Sequence, residues 1–266
     1  MKSIMTILFA LSTTNGLLAQ SADSSKYFKS FDGTQIHYQV KGDGFPILLV
    51  HGFVVNGESW KRTMLYKDLL ASGYQVIVVD LRGNGKSDRP HHESAYLKDA
   101  EANDLMQLIS FLKIKRYAVV GYSRGAIITS RLLVLDQRVT KAVLGGMGSA
   151  FTDPEWPRRL MFYRALSGEP VPELEGFIKY VKESGLDQRS LALMQYGQPS
   201  TSDAELSKNV KPVLVICGDK DEDNGSSEAL FKMIPHAQYK RPPGDHNNTV
   251  RTAEFSNEVL TFLNEK

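Results

Sequence analysis

The stretch Gly121-Tyr122-Ser123-Arg124-Gly125 follows the apolar run 117–120 and precedes a segment, 126–135, that favours a helix. A serine at such a sharp strand-to-helix turn adopts strained backbone angles, and glycines two residues away on either side keep the neighbouring chain clear of the turn. The hydroxyl group is then exposed above the helix N-terminus, which favours developing negative charge. This context predicts that Ser123 is a nucleophile. The alternative is an ordinary turn in which the serine caps the helix.

Apolar runs of strand length lie on both sides of this motif. They are typical of strands buried on both faces and comprise Pro46–Val50, Gln75–Val79, Lys141–Leu144 and Pro212–Cys217. Apolar residues at helical spacing separate them, and we expect one helix over Glu58–Ala71 and another over 95–112. The sequence therefore predicts an α/β protein whose mostly parallel, doubly wound sheet carries helices on both faces.

The first residues differ from the remainder of the chain. Lys2 precedes the apolar run Ile4–Leu11, and Ala19 stands before a small, polar segment. This order is typical of a signal peptide, so residues 1–20 are predicted to be cleaved and residues 21–266 to form the folded domain of a periplasmic or secreted protein. The alternatives are a buried N-terminal helix and an anchor. The run is too short and too interrupted for stable insertion across a membrane.

The alternation of strands and helices stops between about residues 150 and 208. This segment has helix-like stretches and no strand-like run, which predicts a small helical lid inserted at one edge of the sheet. It is rich in aromatic and methionine side chains, among them Trp156, Phe162, Phe177 and Met194. Some of these are expected to pack within the lid and others to line an apolar pocket near Ser123. Arg124 is the only cationic residue that the sequence places near the nucleophile, and its side chain is expected to turn away along the helix.

Among the six histidines, His246 is the best candidate for a general base. It lies in the loop Gly244–Asn247, from which it can reach the sheet edge that carries Ser123. His51 is expected to hold its own loop by hydrogen bonds. The other four are interpreted as surface or capping residues: His37, His91, His92 and His236.

Four acidic residues follow the strand Pro212–Cys217, namely Asp219, Asp221, Glu222 and Asp223. One of these carboxylates can accept the Nδ1–H of a catalytic histidine and so fix its tautomer. A solvated acidic loop or a cation site is the alternative, although the order of residues does not match a calcium-binding loop.

The segment His51-Gly52-Phe53 follows directly on the strand Pro46–Val50. Ligand sites of α/β sheets lie at the carboxyl ends of the strands. Gly52 allows the backbone to approach a substrate closely. The backbone N–H groups of Phe53 and Arg124 are therefore candidate donors of an oxyanion hole.

The composition argues against several classes of function. With 32 Lys and Arg residues against 30 Asp and Glu, the formal net charge of +2 gives no reason to expect nucleic acid or an acidic membrane as a partner. Cys217 is the only cysteine, so neither an internal disulfide nor a cysteine-based metal site is possible. We expect a small-molecule substrate, no metal and no organic cofactor.

The chain resembles the α/β-hydrolase fold superfamily from Tyr27 to Leu263. The resemblance rests on the motif around Ser123 together with His51–Phe53, the loop Asp80–Asp88, Gly218–Asp221 and Gly244–His246. In that family a serine, an acidic residue and a histidine occur in this order and form a catalytic triad. The resemblance implies Asp221 as the acid, because the family's acid ends a Gly-x-x-Asp run. It implies a structural role for the loop Asp80–Asp88.

The function implied by the resemblance is that of a serine hydrolase, which cleaves a small or medium carboxylic ester through an acyl-enzyme. Relatives with an aspartate nucleophile, the haloalkane dehalogenases and epoxide hydrolases, commonly have His-Gly-x-Pro in the oxyanion loop, whereas Val54 follows Phe53 here. A carbon–carbon bond hydrolase, a lactonase and a cofactor-free perhydrolase share the triad and stay open. A non-catalytic binding protein of the same fold is the alternative from another class.

Overall fold

The structure is a computed structural model that describes residues 25–265. The predicted signal peptide, residues 1–20, lies outside the described residues. The strands are β1 (Lys26–Lys29), β2 (Gln35–Lys41), β3 (Pro46–Val50), β4 (Gln75–Val79), β5 (Tyr117–Tyr122), β6 (Val139–Gly145), β7 (Val213–Ile216) and β8 (Ala237–Lys240). They form one eight-stranded sheet in the order β1-β2-β4-β3-β5-β6-β7-β8. Only the pairs β1·β2 and β2·β4 are antiparallel, so the predicted mostly parallel sheet is confirmed.

The helices, in chain order, are α1 (Glu58–Lys61), α2 (Met64–Ala71), α3 (Ala100–Phe111), α4 (Arg124–Leu135), α5 (Pro157–Leu166), α6 (Glu175–Glu183), α7 (Gln188–Tyr196), α8 (Asp203–Leu206), α9 (Ser227–Met233) and α10 (Ala253–Asn264). Helices α3, α4 and α9 pack on one face of the sheet, and α1, α2 and α10 pack on the other. The sheet is therefore doubly wound, as predicted.

Alternation along the central strands explains why both faces are covered. In β3, Leu48 and Val50 belong to the core beneath α3 and α4, whereas Ile47 and Leu49 belong to the core beneath α2 and α10. Successive side chains of a strand point to opposite faces, so a continuous apolar run needs helices on each side. The parallel strands consequently bring their carboxyl ends to one edge of the sheet, where the candidate site lies.

Two helix predictions need correction. The single helix expected over Glu58–Ala71 is two helices, because Thr63 has an extended backbone and its side chain caps α2 by accepting from the Tyr66 N–H. The helix expected from residue 95 begins only at Ala100. Lys98 and Asp99 have φ values of 55° and 59°, which a right-handed helix does not accommodate.

Helices α5 to α8 lie between β6 and β7, in the segment where the sequence predicted a helical insertion. An apolar cluster joins this insertion to the sheet domain: Val181, Leu191 and Met194 pack with Ala95 and Tyr96. The insertion thus covers the carboxyl edge of the sheet. Within residues 25–265, the helices are all too short or too polar to span a membrane.

Candidate active site

Ser123 occupies the turn between β5 and α4 with strained backbone angles, φ 56° and ψ −126°. A side chain at Gly121 would collide with Thr129, and one at Gly125 would collide with the carbonyl oxygen of Val50, so both positions require glycine. Ser123 is the N-cap residue of α4, yet its side chain makes no capping hydrogen bond. The turn therefore holds the hydroxyl free of the helix, contrary to the capping alternative.

The hydroxyl of Ser123 faces His246. Its Oγ lies 2.9 Å from Nε2 of His246, and Nδ1 of the same ring lies 2.9 Å from Oδ2 of Asp221. The Tyr122 hydroxyl donates to the His246 carbonyl oxygen at 2.8 Å, which ties the histidine loop to the strand before Ser123. Residues that are 123 and 25 positions apart in sequence thus form one chain of hydrogen bonds.

The three other acids of the loop after β7 have different surroundings. Asp219 accepts from the Gly244 N–H at 2.9 Å and so joins this loop to the histidine loop. Glu222 is exposed, and Asp223 lies 3.6 Å from the Arg158 guanidinium. Only Asp221 is both buried and in contact with His246.

The loop after β3 passes directly beside the serine. A Cβ atom at Gly52 would lie 3.3 Å from Cβ of Ser123, so this close approach favours glycine. Phe53 and Arg124 line the same cavity as Ser123. The N–H of Arg124 belongs to the first turn of α4, where backbone donors have no partner within the helix. The two residues predicted to supply the oxyanion donors therefore lie beside the serine, and their role as donors stays a prediction.

Both ring nitrogens of His51 make hydrogen bonds that hold this loop in place. Its Nε2 accepts from the Leu81 N–H at 3.0 Å, so Nδ1 carries the proton and donates to the Gly52 carbonyl at 2.7 Å. Burial lowers the pKa of His51, which favours this neutral form. The side chain has no nitrogen left for a reacting proton.

The Arg124 guanidinium points away from Ser123, as predicted. It donates to both carboxylate oxygens of Glu101, at 2.5 and 2.6 Å, and to the Met194 carbonyl at 2.7 Å. Both partners of this ion pair are buried. The residue after the candidate nucleophile is thereby fixed to α3 and to α7 of the insertion.

The loop from Asp80 to Asp88 supports the site without facing it. Asp80 accepts from the N–H groups of Gly57 and Lys86, each at 2.8 Å, and Asn84 donates to the Phe53 carbonyl at 2.8 Å. His37 also contacts Asp80, at 2.9 Å through Nδ1.

The prediction that His37 is a surface or capping residue is therefore wrong, because the side chain is buried at 3% exposure. Its Asp80 partner follows β4, 43 residues further along the chain.

A cavity of about 380 Å³ opens above Ser123. The side chains that the insertion contributes to its lining include Trp156, Phe162 and Phe177. Phe53 of the sheet domain stacks on Phe177 with 6.3 Å between the ring centroids. The site thus has an aromatic wall shared by both parts of the protein.

Arginines at this cavity were not anticipated from the sequence, which pointed to Arg124 alone. Arg62, Arg158 and Arg251 all line it. They come from the α1–α2 junction, from α5 and from the turn after the histidine loop. Their separation in sequence left no local pattern by which to recognise them.

Metal ligands are not grouped in the part of the chain that the structure describes. Residues 25–265 contain no group of three or more His, Cys, Asp or Glu side chains placed to hold an ion. The acidic loop that follows β7 does not form such a group.

Comparison with known proteins relates the chain to a known fold. Residues 46–173 match the family model for the alpha/beta hydrolase fold. A non-heme haloperoxidase from Rhodococcus erythropolis is 26% identical over 270 aligned positions, covering 87% of this chain and 97% of that protein. An esterase from Rhodococcus sp. ECU1013 superposes with a TM-score of 0.68 at 27% identity, covering 90% of this chain and 98% of that one. The chain therefore has the α/β-hydrolase fold.

A higher identity occurs over a shorter segment. A Synechocystis protein named as a non-heme chloroperoxidase is 42% identical over 111 residues, which make up 41% of this chain and 39% of that protein. The matched segment thus spans less than half of that relative.

Proposed function

We propose that this protein is a serine hydrolase that cleaves a small or medium carboxylic ester through an acyl-enzyme on Ser123. The observation that carries the proposal is the line of two 2.9 Å hydrogen bonds from Asp221 through His246 to Ser123. It ends on a hydroxyl that the strained turn keeps away from helix capping. A non-catalytic protein of the same fold has no need of this alignment.

In the first half-reaction, Oγ of Ser123 attacks the carbonyl carbon of the ester and forms a tetrahedral intermediate. At the same time Nε2 of His246 takes the proton of the Ser123 hydroxyl. Asp221 accepts from Nδ1–H of His246, which holds the reactive tautomer and stabilises the imidazolium. The carbonyl oxygen becomes an oxyanion and accepts from the backbone N–H groups of Phe53 and Arg124. When the tetrahedral intermediate collapses, the leaving alcohol takes the proton from His246.

In the second half-reaction, water replaces the alcohol. His246 removes a proton from water as it attacks the acyl carbon, and the same two N–H groups stabilise the second oxyanion. Collapse releases the carboxylic acid and returns the proton to Ser123. Apart from the water that attacks, these steps use only side chains and backbone groups of the protein.

The size of the cavity supports the substrate class. A volume of about 380 Å³ lies at the lower end of the range for small-molecule sites. Aromatic side chains form one wall, which suits a short acyl chain or an aryl group. An extended lipid chain needs more apolar space than this cavity provides.

Steady-state hydrolysis of p-nitrophenyl butyrate by the wild type and by Ser123→Ala tests the proposal. We expect turnover by the wild type and a loss in kcat of at least about 10⁴-fold in the variant, with an unchanged circular dichroism spectrum. Equal rates in the two proteins would show that Ser123 is not the nucleophile. A wild type inactive on esters, thioesters and lactones alike would favour the non-catalytic alternative.

A second candidate function is perhydrolysis, because three of the relatives are named as non-heme haloperoxidases or chloroperoxidases. In this reaction hydrogen peroxide attacks the acyl-enzyme in place of water and releases a peracid. The peracid then oxidises halide to hypohalous acid and is itself reduced to the carboxylic acid.

Bromination of an added diketone in acetate, peroxide and bromide separates the two functions. A perhydrolase consumes the diketone with peroxide present, at a rate that falls with Ser123→Ala. An ester hydrolase gives no bromination above the buffer background while still cleaving p-nitrophenyl butyrate.

A further inference from the structure

The candidate site is lined by cationic side chains and by no acidic one. Arg62, Arg158 and Arg251 line the cavity, and among the described residues neither Asp nor Glu does. The formal net charge of the whole chain is only +2, so this excess of positive charge is local. Charges of one sign in a concave site focus the electrostatic field and attract ligands of the opposite sign.

Arg158 is placed so that a substrate anion can replace the carboxylate with which its guanidinium is paired. Its side chain is 39% exposed, and its only ion pair within residues 25–265 is with Asp223 at 3.6 Å, whose side chain is 62% exposed. The guanidinium lies over the ring of Phe162, which also lines the cavity, at 5.3 Å from the centroid. An ion pair exposed to this degree contributes little stability, so a substrate anion can replace Asp223 at low cost.

The two other arginines are not engaged elsewhere. In the part of the chain that the structure describes, Arg62 and Arg251 have neither an ion pair nor a side-chain hydrogen bond, and both are exposed. Ion pairs elsewhere in the molecule are better formed, as Arg164 shows with Glu169 at 2.6 Å on the same helix as Arg158. The cavity thus keeps positive charge that the protein itself leaves largely uncompensated.

We propose that the site takes an ester that carries a carboxylate at the end of its acyl chain, with Arg158 as the binding residue and Arg62 and Arg251 adding to the attraction. The proposal rests on the hydrolase function proposed above and names its substrate class. The planar guanidinium matches a carboxylate through two parallel hydrogen bonds. The aromatic wall contacts the methylene chain between the carboxylate and the ester carbonyl.

A matched pair of methyl esters tests this substrate class. Monomethyl adipate and methyl hexanoate have acyl chains of equal length, and only the first ends in a carboxylate. The readout is the ratio of kcat/KM for the anionic ester to that for the neutral one, measured by acid titration. We expect this ratio to be above one for the wild type and about tenfold lower for Arg158→Gln. The reason is that a hydrogen bond to a charged group contributes more binding free energy than a hydrogen bond between neutral groups. Arg62→Gln and Arg251→Gln should lower it less.

Two control variants and a change of salt sharpen the test. Arg164→Gln removes a guanidinium from the same helix but outside the cavity and should leave the ratio at its wild-type value. Asp223→Asn removes the carboxylate that competes for Arg158 and should raise the ratio. High ionic strength should lower it, because salt screens attraction between exposed charges.

Failure of this inference is distinguishable from failure of the hydrolase proposal. If methyl hexanoate is cleaved as efficiently as monomethyl adipate, and the arginine variants keep the wild-type ratio, the anionic subsite is wrong and the hydrolase stands. If neither ester is cleaved and Ser123 reacts with no acylating agent, the hydrolase proposal is wrong, and so is the substrate class that rests on it.

Discussion

The carboxylate of Asp221 lies 2.9 Å from Nδ1 of His246, whereas the carboxylate of Asp223, two residues further on, lies 3.6 Å from the Arg158 guanidinium. Two acids of one short loop therefore serve different partners. Burial distinguishes them as well, since the Asp221 side chain is 1% exposed and that of Asp223 is 62% exposed. Of these two acids, only Asp221 is placed to hold the His246 ring in the orientation that presents Nε2 to Ser123.

This difference predicts unequal losses on substitution. Asp221→Asn should lower kcat on p-nitrophenyl butyrate by about 10⁴-fold, because an amide in place of the carboxylate favours the wrong histidine tautomer. Asp223→Asn, the matched control, should retain kcat within about tenfold on this neutral ester. A larger loss in the Asp223 variant would reverse the assignment of the acid.

The neutral state of His51 predicts a pH-dependent stability. Burial lowers the pKa of His51 from its ordinary value of 6.5. On acidification, His51 therefore binds a proton in the unfolded chain at a higher pH than it does in the folded protein. Stability should therefore fall as the pH drops below 6.5, by up to ~1.4 kcal/mol per pH unit for this one group. Urea unfolding of the wild type and of His51→Gln between neutral and acidic pH measures the difference.

The contribution of His51 appears as the difference between the two proteins in the pH dependence of the unfolding free energy. The wild type should lose stability more steeply than His51→Gln as the pH falls below the ordinary histidine value. His92→Gln serves as the control, because His92 is exposed and its side chain is hydrogen-bonded to the nearby Ser94. Parallel pH profiles for the wild type and His51→Gln would contradict the neutral, engaged state of His51.

The buried pair of Glu101 and Arg124 predicts a large effect on stability. Glu101→Gln leaves the buried guanidinium without its counterion, which should lower the free energy of unfolding by about 3 kcal/mol. Glu205→Gln breaks the more exposed pair with Arg131 and should cost less than ~1 kcal/mol. Chemical denaturation followed by circular dichroism compares the two. Equal, small losses would mean that the Arg124 pair contributes no more than an exposed one.

The cavity above Ser123 predicts how activity depends on acyl chain length. Values of kcat/KM for p-nitrophenyl acetate and butyrate should exceed those for decanoate and palmitate, because a space of about 380 Å³ cannot enclose a long chain. EDTA should leave the rates unchanged, since the proposed steps use protein groups alone. Activity that rises with chain length and increases sharply at an oil–water interface would identify a lipase instead.

Local patterns were sufficient to predict the sheet and the turn at Ser123. A continuous apolar run such as Pro46–Val50 specifies a strand covered on both faces, and the glycines at 121 and 125 are required by backbone contacts that hold wherever this turn occurs. The break at Thr63 was missed because a single capping side chain interrupts an otherwise helical pattern. The sequence gives only a weak signal of whether such a side chain caps a new helix or lies within a continuous one.

Contacts between distant segments could not be predicted in this way. Glu101 of α3 pairs with Arg124 of α4, and Asp80 lies 2.9 Å from Nδ1 of the buried His37. The arginines at positions 62, 158 and 251 line one cavity although they come from three separate segments of the chain. Each depends on tertiary packing, for which the one-dimensional pattern carries no signal.

The most direct test of the central claim is covalent labelling of the native protein with a fluorophosphonate, followed by peptide mass spectrometry. The probe reacts with a serine only when a neighbouring base activates its hydroxyl. We predict one stoichiometric adduct on Ser123, with labelling lost in Ser123→Ala and strongly slowed in His246→Gln. An intact, folded protein that takes up no label, or one labelled on another serine, would contradict the assignment of Ser123 as the nucleophile.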